Sequence, residues 1–317
     1  MAAATLPDPP DPEALAWLAL SRTADLGPVR AAALVAVAGS ATAAVEAAHR
    51  PPPRLPGLSP ARARAALARI DLEAAEREAW RGARVGARLV ACGRPGYPTT
   101  WRPADGWPPV LWVRGVWPEA VQAEVPRALA VVGPRRASPS ACAFAGEVAE
   151  RAAWAGAWVV SGLAFGIDAA AHAAAVGAAT SGAPASTISV LASGVDRPTP
   201  TAHRALARAI LDAGGALVAA AAIGAAPPTG AFPVRNRWIA GLAGAVAIVE
   251  AGVRSGALHT AAAALDLGRE VRVAPARPWD AHAAGSLALL RDGAAPVIVV
   301  TREGRTAPDG AVALAME

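Results

Sequence analysis

The chain has 317 residues with 30 basic and 25 acidic side chains, a net charge of +5, and all of its basic residues are arginine. This length holds one large domain and a small one; the modest charge, with no basic tail, permits an anionic partner but excludes a coating protein that binds nucleic acid by charge alone. Two isolated cysteines, Cys92 and Cys142, are too few for a disulfide framework or a metal site, so no cofactor and a reducing compartment are expected.

Residues 1–12 contain Pro and Asp and lack the basic and apolar regions of a signal peptide, which points to a cytoplasmic protein with no membrane partner. Residues 13–90 read as short Ala/Leu/Arg helices, among them 15–21 and 29–37, broken at Leu26-Gly-Pro28 and by a Pro-rich linker at 50–60. The Gly-Pro break is compatible with a helix-hairpin-helix (SAM-like) element and equally with plain helix punctuation. From Tyr97 to Gly115 the chain is extended, with a strand at 110–113 and with Trp101, Trp107 and Trp112 expected in the core.

Strand and helix patterns then alternate. Strands are expected at 128–132, 157–160, 187–191, 216–219, 245–249, 270–273 and 297–300, with helices near 139–154, 168–177, 202–212, 234–243, 256–267 and 285–291. The uncharged run 213–234 reads as a buried strand and a loop, because Gly and Pro pairs interrupt it. Short continuous apolar strands between helices predict an α/β fold: a Rossmann-like, doubly wound, mostly parallel sheet with a small N-terminal helical domain. The expected division is 1–90 helical, 91–300 Rossmann-like, and 301–317 a short tail.

Glycines and polar residues gather after these strands: Gly133-Pro-Arg-Arg-Ala-Ser138, Ser161-Gly-Leu-Ala-Phe-Gly-Ile-Asp168, Ser193-Gly194, Glu250 and Ser255-Gly256. Each loop feeds a helix, so amides and helix dipoles converge on one edge, which suits an anion. Phe232-Pro-Val-Arg-Asn-Arg237 adds a ring, an amide and two arginines, with no carboxylate between Asp212 and Glu250. Arginine forks bind phosphates and an exposed ring stacks on a base. Asp168 reads as a helix N-cap, and His172 as a packed or surface residue. Glu250 either orders a loop or meets ligand hydroxyls; Ser161 and Ser255 either cap helices or bind phosphate. No Walker lysine, Ser-His-Asp order or paired carboxylates accompany them, so no enzyme is expected.

These motifs, together with Val249-Glu-Ala251, Ile239-Ala-Gly-Leu242 and Gly268-Arg-Glu-Val271, resemble the DNA-processing protein A family, also called Smf, in order and spacing over roughly residues 13–295. The resemblance implies a dimeric, single-stranded DNA-binding protein that loads a RecA-type recombinase in natural transformation. It also implies that the DNA meets Gly133, Arg135, Arg136, Ser161, Gly162, Phe232, Arg235, Asn236, Arg237, Ser255 and Gly256. The alternative is a nucleotide sensor or a phosphoribohydrolase-like Rossmann protein, although the Pro-Gly-Gly-x-Gly-Thr loop of those hydrolases is missing. Pro134 stands where the family has serine, and Phe165 where it has arginine, so a positive charge is lost; Ala219 to Ala222 and Pro275-Ala276 also depart, while Arg136 and Arg254 could compensate. The tail is too short for the winged helix that many members carry.

Overall fold

A computed structural model describes residues 11–50, 53–277 and 280–297. Residues 298–300 of the strand expected at 297–300, the tail 301–317 and most of the N-terminal segment read for a signal lie outside them. The chain forms two compact units: Met1–Arg114 with Gly194–Asp196 and Ala219–Ala225, and Gly115–Ser193 with Arg197–Val218 and Ala226–Glu317.

In the first unit, helices α1 (Pro12–Arg22), α2 (Gly27–Ala38), α3 (Ala41–Glu46), α4 (Pro60–Leu67) and α5 (Leu72–Arg84) precede strands β1 (Ala87–Ala91) and β2 (Val110–Gly115). Local sequence sets the helix ends. Asp11, Ser40, Ser59 and Asp71 each accept an amide hydrogen bond at an N-cap, and Gly39 closes α2 in the left-handed region. The break at 26–28 is present, as is the extended stretch at 110–113. Residues 87–91, expected in a helical region, instead form a strand that pairs antiparallel with β2, Leu89 opposite Trp112. Trp101, Trp107 and Trp112 are buried, the first two stacked at 4.3 Å.

The second unit carries β3 (Ala128–Val132), β4 (Trp158–Ser161), β5 (Thr187–Val190), β6 (Ala216–Ala219), β7 (Ala245–Ile248), β8 (Glu270–Val273) and β9 (Ala295–Pro296). They run parallel in the order β6-β5-β4-β3-β7-β8-β9. Between them lie α6 (Pro139–Trp154), α7 (Ile167–Thr180), α8 (Arg204–Asp212), α9 (Ala231–Gly241), α10 (Ala257–Asp266) and α11 (Ala284–Arg291). Leu129 and Val131 pack against the alanines of α6 and α7 in one core. Strand alternation turns Ala130 and Val132 to the other face, and both are buried as well, which is why β3 is apolar at every position. Among the described residues the last pairing is at 295–296, directly before the strand expected at 297–300.

The order reverses at β3. Successive strands first run outward through β4, β5 and β6, then restart at β7 on the other side of β3. The carboxyl ends of β3 and β7 therefore diverge into two connections that leave on opposite sides, and a crevice opens between them.

Helix α9 differs most from expectation, beginning at Ala231 rather than 234. Pro233 occupies its third position, where the backbone N–H would have no intrahelical acceptor, so proline is accommodated in this first turn. The uncharged run 213–234 thus includes the start of a helix as well as a strand and a loop.

Candidate functional site

The crevice at the β3/β7 reversal has a volume of about 530 Å³ and is walled by the loops after β3 and β7 and by the first turns of α9 and α10. Gly133, Arg135, Arg136, Phe232, Arg235, Asn236, Ser255 and Gly256 all line it; Ser161, Gly162 and Arg237 do not. Helical periodicity separates the α9 residues. Phe232, Arg235, Asn236 and Ile239 recur at three- and four-residue spacing and face the crevice, whereas Arg237, two positions from Arg235, lies on another side.

The arginines differ in environment. Arg135, Arg136 and Arg254 are exposed at the crevice. Arg135 lies over the Phe232 ring at 4.9 Å, a cation–π contact, and that ring is 37% exposed. Arg235 is only 4% exposed. Its Nη1 donates to the carbonyls of Gly162 at 2.6 Å and Val190 at 2.8 Å, while its Nε meets no acceptor among the described residues. Burial lowers its pKa, opposed by the field of Asp168. Arg235 therefore spans from α9 to the ends of β4 and β5, and its Nη1 hydrogens are given to carbonyls rather than to a phosphate.

The glycines serve this packing. A Cβ on Gly162 would overlap the Arg235 guanidinium, and one on Gly133 would overlap the Val249 carbonyl and Ile167. Ser161 is fully buried and donates to the Val131 carbonyl at 2.7 Å. Of its two sequence readings, phosphate binding and capping, neither is what this bond does; it ties β4 to β3.

Asp168, expected to cap α7, does not; Gly166 holds that position. The Asp168 carboxylate accepts from the amides of Gly162 and Ala164, both at 3.2 Å, and fastens the loop from inside. Burial raises its pKa against the opposing Arg235 charge and these bonds. His172, fully buried, places Nδ1 2.7 Å from the Thr187 hydroxyl. Since that hydroxyl donates to the Val159 carbonyl, Nδ1 carries the hydrogen, and Nε2 has no partner among the described residues. Burial, then the Arg235 and His203 charges, push its pKa down to about 3, so the imidazole is neutral.

Glu250 takes the loop-ordering option. At φ +53° it sits in the left-handed region, and its carboxylate accepts from the Ser138 amide at 3.0 Å and from the Ser138 hydroxyl at 2.5 Å. Ser138 in turn caps α6 through the Ala141 amide. Ser255 accepts from the Ala257 amide at 3.3 Å, and Asn236 donates to the Gly256 carbonyl at 3.2 Å, joining α9 to the start of α10. Helices α7 and α9 begin at Gly166 and Gly230 without a side-chain cap, and α10 has only the Ser255 bond at its start. The sequence reading overlooked His259, Thr260 and His282 in the lining, since only the helix register and a distant loop bring them there.

Both carboxylates of the crevice are thus bound to backbone or hydroxyl donors, and its exposed charge comes from arginine. Exposed guanidiniums, uncapped helix starts and a ring suit an anion that also offers a flat face. Among the described residues no group of three His, Cys, Asp or Glu could hold a metal, and no single helix is long and apolar enough to cross a membrane.

The family model "DNA recombination-mediator protein A" matches residues 88–303. A putative DNA processing protein DprA of Mycobacterium tuberculosis is 38% identical over 295 residues, covering 90% of this chain and 72% of the relative. Protein Smf of Escherichia coli is 38% identical over 166 residues, covering 52% and 43%. The X-ray structure of DNA processing protein A from Streptococcus pneumoniae superposes with a TM-score of 0.71 at 26% identity, covering 90% of this chain and 94% of the other. The Helicobacter pylori protein, described for its single-stranded DNA binding mode, shares the fold at a TM-score of 0.54 and 23% identity, covering 66% and 89%.

Proposed function

Because the chain belongs to the DNA recombination-mediator protein A family, we propose that it binds single-stranded DNA in the β3/β7 crevice and, as a cytoplasmic homodimer, delivers the strand to a RecA-type recombinase during natural transformation. The observation that carries this reading is the set of exposed Arg135, Arg136 and Arg254 around the exposed Phe232 ring. Guanidiniums neutralise phosphates wherever the backbone passes, while a ring accepts any unpaired base, so affinity comes without a sequence code. Duplex bases are stacked on one another and cannot use the ring, which gives the preference for a single strand.

Within this reading the residues divide by role. Arg135, Arg136 and Arg254 contact phosphates, Phe232 receives a base, and Gly256 presents the start of α10. Arg235, Asn236, Gly133, Gly162, Ser161 and Ser255 hold the walls. Arg237, outside the lining, is not assigned a phosphate. The action is binding and delivery, not covalent chemistry.

Fluorescence anisotropy with labelled single-stranded and duplex oligonucleotides tests the proposal. Tighter binding of the single strand, uncompeted by free mononucleotides, is expected. Failure to bind any strand at low salt, with mononucleotides bound instead, would favour a small-nucleotide site. Displacement of a single-strand-coating protein by a RecA-type recombinase, with and without this protein, tests delivery.

A further inference from the structure

We propose that Phe165 is a second stacking platform, so that the strand in the crevice lays two unpaired bases on two rings, Phe165 and Phe232; this rests on the single-strand reading above. The sequence reading counts Phe165 as a lost positive charge, but the structure shows what the position holds instead. Its ring is 47% exposed, although the core of the same unit takes up Leu163 and Ile167 on either side. The chain has only three phenylalanines, and two of them stand exposed at this edge of the sheet.

Isolated exposed apolar side chains are ordinary on protein surfaces. Phe165 differs in its mounting. The residue before it, Ala164, lines the crevice. Gly162 and Ala164 donate to buried Asp168, and the Ile167 amide donates to the Pro134 carbonyl at 3.4 Å. Gly166, at φ +73°, abuts the carbonyls of Pro134 and Arg135, so the loop bearing the ring rests against the loop bearing the phosphate-facing arginines. Leu163 is held at φ +63°, and its carbonyl lies 2.8 Å from His203 Nδ1, which donates to it.

His203 also makes a T-shaped contact with Phe165, at 4.6 Å between ring centroids and 63° between planes. That contact orients the ring, and about half of Phe165 stays open to solvent. A ring fixed in advance stacks with little loss of rotamer freedom, the condition under which an exposed aromatic contributes most to binding a flexible strand.

The test compares Kd and its salt dependence for the full chain and two variants, with oligothymidylate, the same length of abasic strand, and duplex. Phe165→Ala is expected to weaken oligothymidylate binding roughly tenfold, to leave the salt slope unchanged, and to affect abasic and duplex DNA little. Phe165→Arg is expected to raise the slope by about one phosphate contact and to recover affinity for the abasic strand. Thermal unfolding of both variants near that of the parent establishes that the loop is intact. Parent-like oligothymidylate binding by Phe165→Ala would overturn the second platform while leaving the single-strand site standing. Absence of strand binding by the parent itself would overturn both.

Discussion

The Glu78 carboxylate of the first unit accepts four hydrogen bonds: two from the Arg22 fork at 2.9 Å, one from Trp112 Nε1 at 2.8 Å and one from the Ile223 amide at 3.3 Å. Burial alone would raise its pKa, but these donors outweigh burial and hold it below the usual carboxylate range. In the second unit, among the described residues, buried Arg235 leaves Nε without an acceptor and His172 leaves Nε2 without a donor, while Leu163 and Glu250 adopt left-handed backbone. The two centres contain similar residue types and have different balances. Satisfied donors and acceptors make the Glu78 centre a structural tie, whereas the elements around the crevice carry orphaned atoms and strained residues, as the pre-organised site proposed there would.

Acid should separate the centres most strongly. Folded His172, with its pKa near 3, binds no proton where the unfolded imidazole, at about 6.5, does; its contribution is therefore complete above pH 6.5 and is lost as pH falls toward 3. The full swing is on the order of 5 kcal/mol. Glu78, with a lowered pKa, contributes above the ordinary carboxylate range and loses that contribution only as pH falls through its own lower value. Melting temperature should thus begin to drop near pH 6, and His172→Gln should remove that first phase; a variant that melts with the parental pH profile would place the acid sensitivity elsewhere.

Glu78→Ala removes the acceptor of all four bonds and leaves Arg22 without its partner, at a cost of about 3 kcal/mol in chemical unfolding. Strand affinity at neutral pH should stay within about twofold, since the Glu78 bonds all lie within the first unit. Gly162→Ala should cost less stability, about 2 kcal/mol, because the guanidinium it displaces has some room to move, yet it should weaken strand binding because α9 shifts with Arg235. Measuring both quantities for both variants distinguishes a tie from a site wall. Ser138→Ala, which loses the α6 cap and the Glu250 contact, should cost about 1 kcal/mol.

Much of the second unit was legible because buried parallel strands are uninterrupted apolar runs and each ends in glycine and polar residues. The α6 bounds agree with the pattern to the residue, Ser138-Pro139 marking the start. Strand β1 was hidden because Ala87–Ala91 is short and shows no clean alternation. The crevice was legible as a sheet edge but not as a set of roles. The helix expected at 234–243 already held Arg235 and Arg237, but both were assigned to phosphate; their two-residue spacing on that helix turns them to different sides. The acceptors of Arg235, at Gly162 and Val190, lie 73 and 45 residues away, and the Glu250 partner Ser138 lies 112 away, so no local pattern announces them.

The division between exposed and buried arginines is tested most directly by the salt slope of single-strand binding measured beside melting temperature for Arg135→Ala, Arg136→Ala and Arg235→Ala. Arg135→Ala and Arg136→Ala should each lower the slope by about one and leave melting unchanged, whereas Arg235→Ala should lower the melting temperature through the loss of its two buried carbonyl bonds. An Arg235→Ala protein that melts like the parent and loses a phosphate from its salt slope would contradict the account.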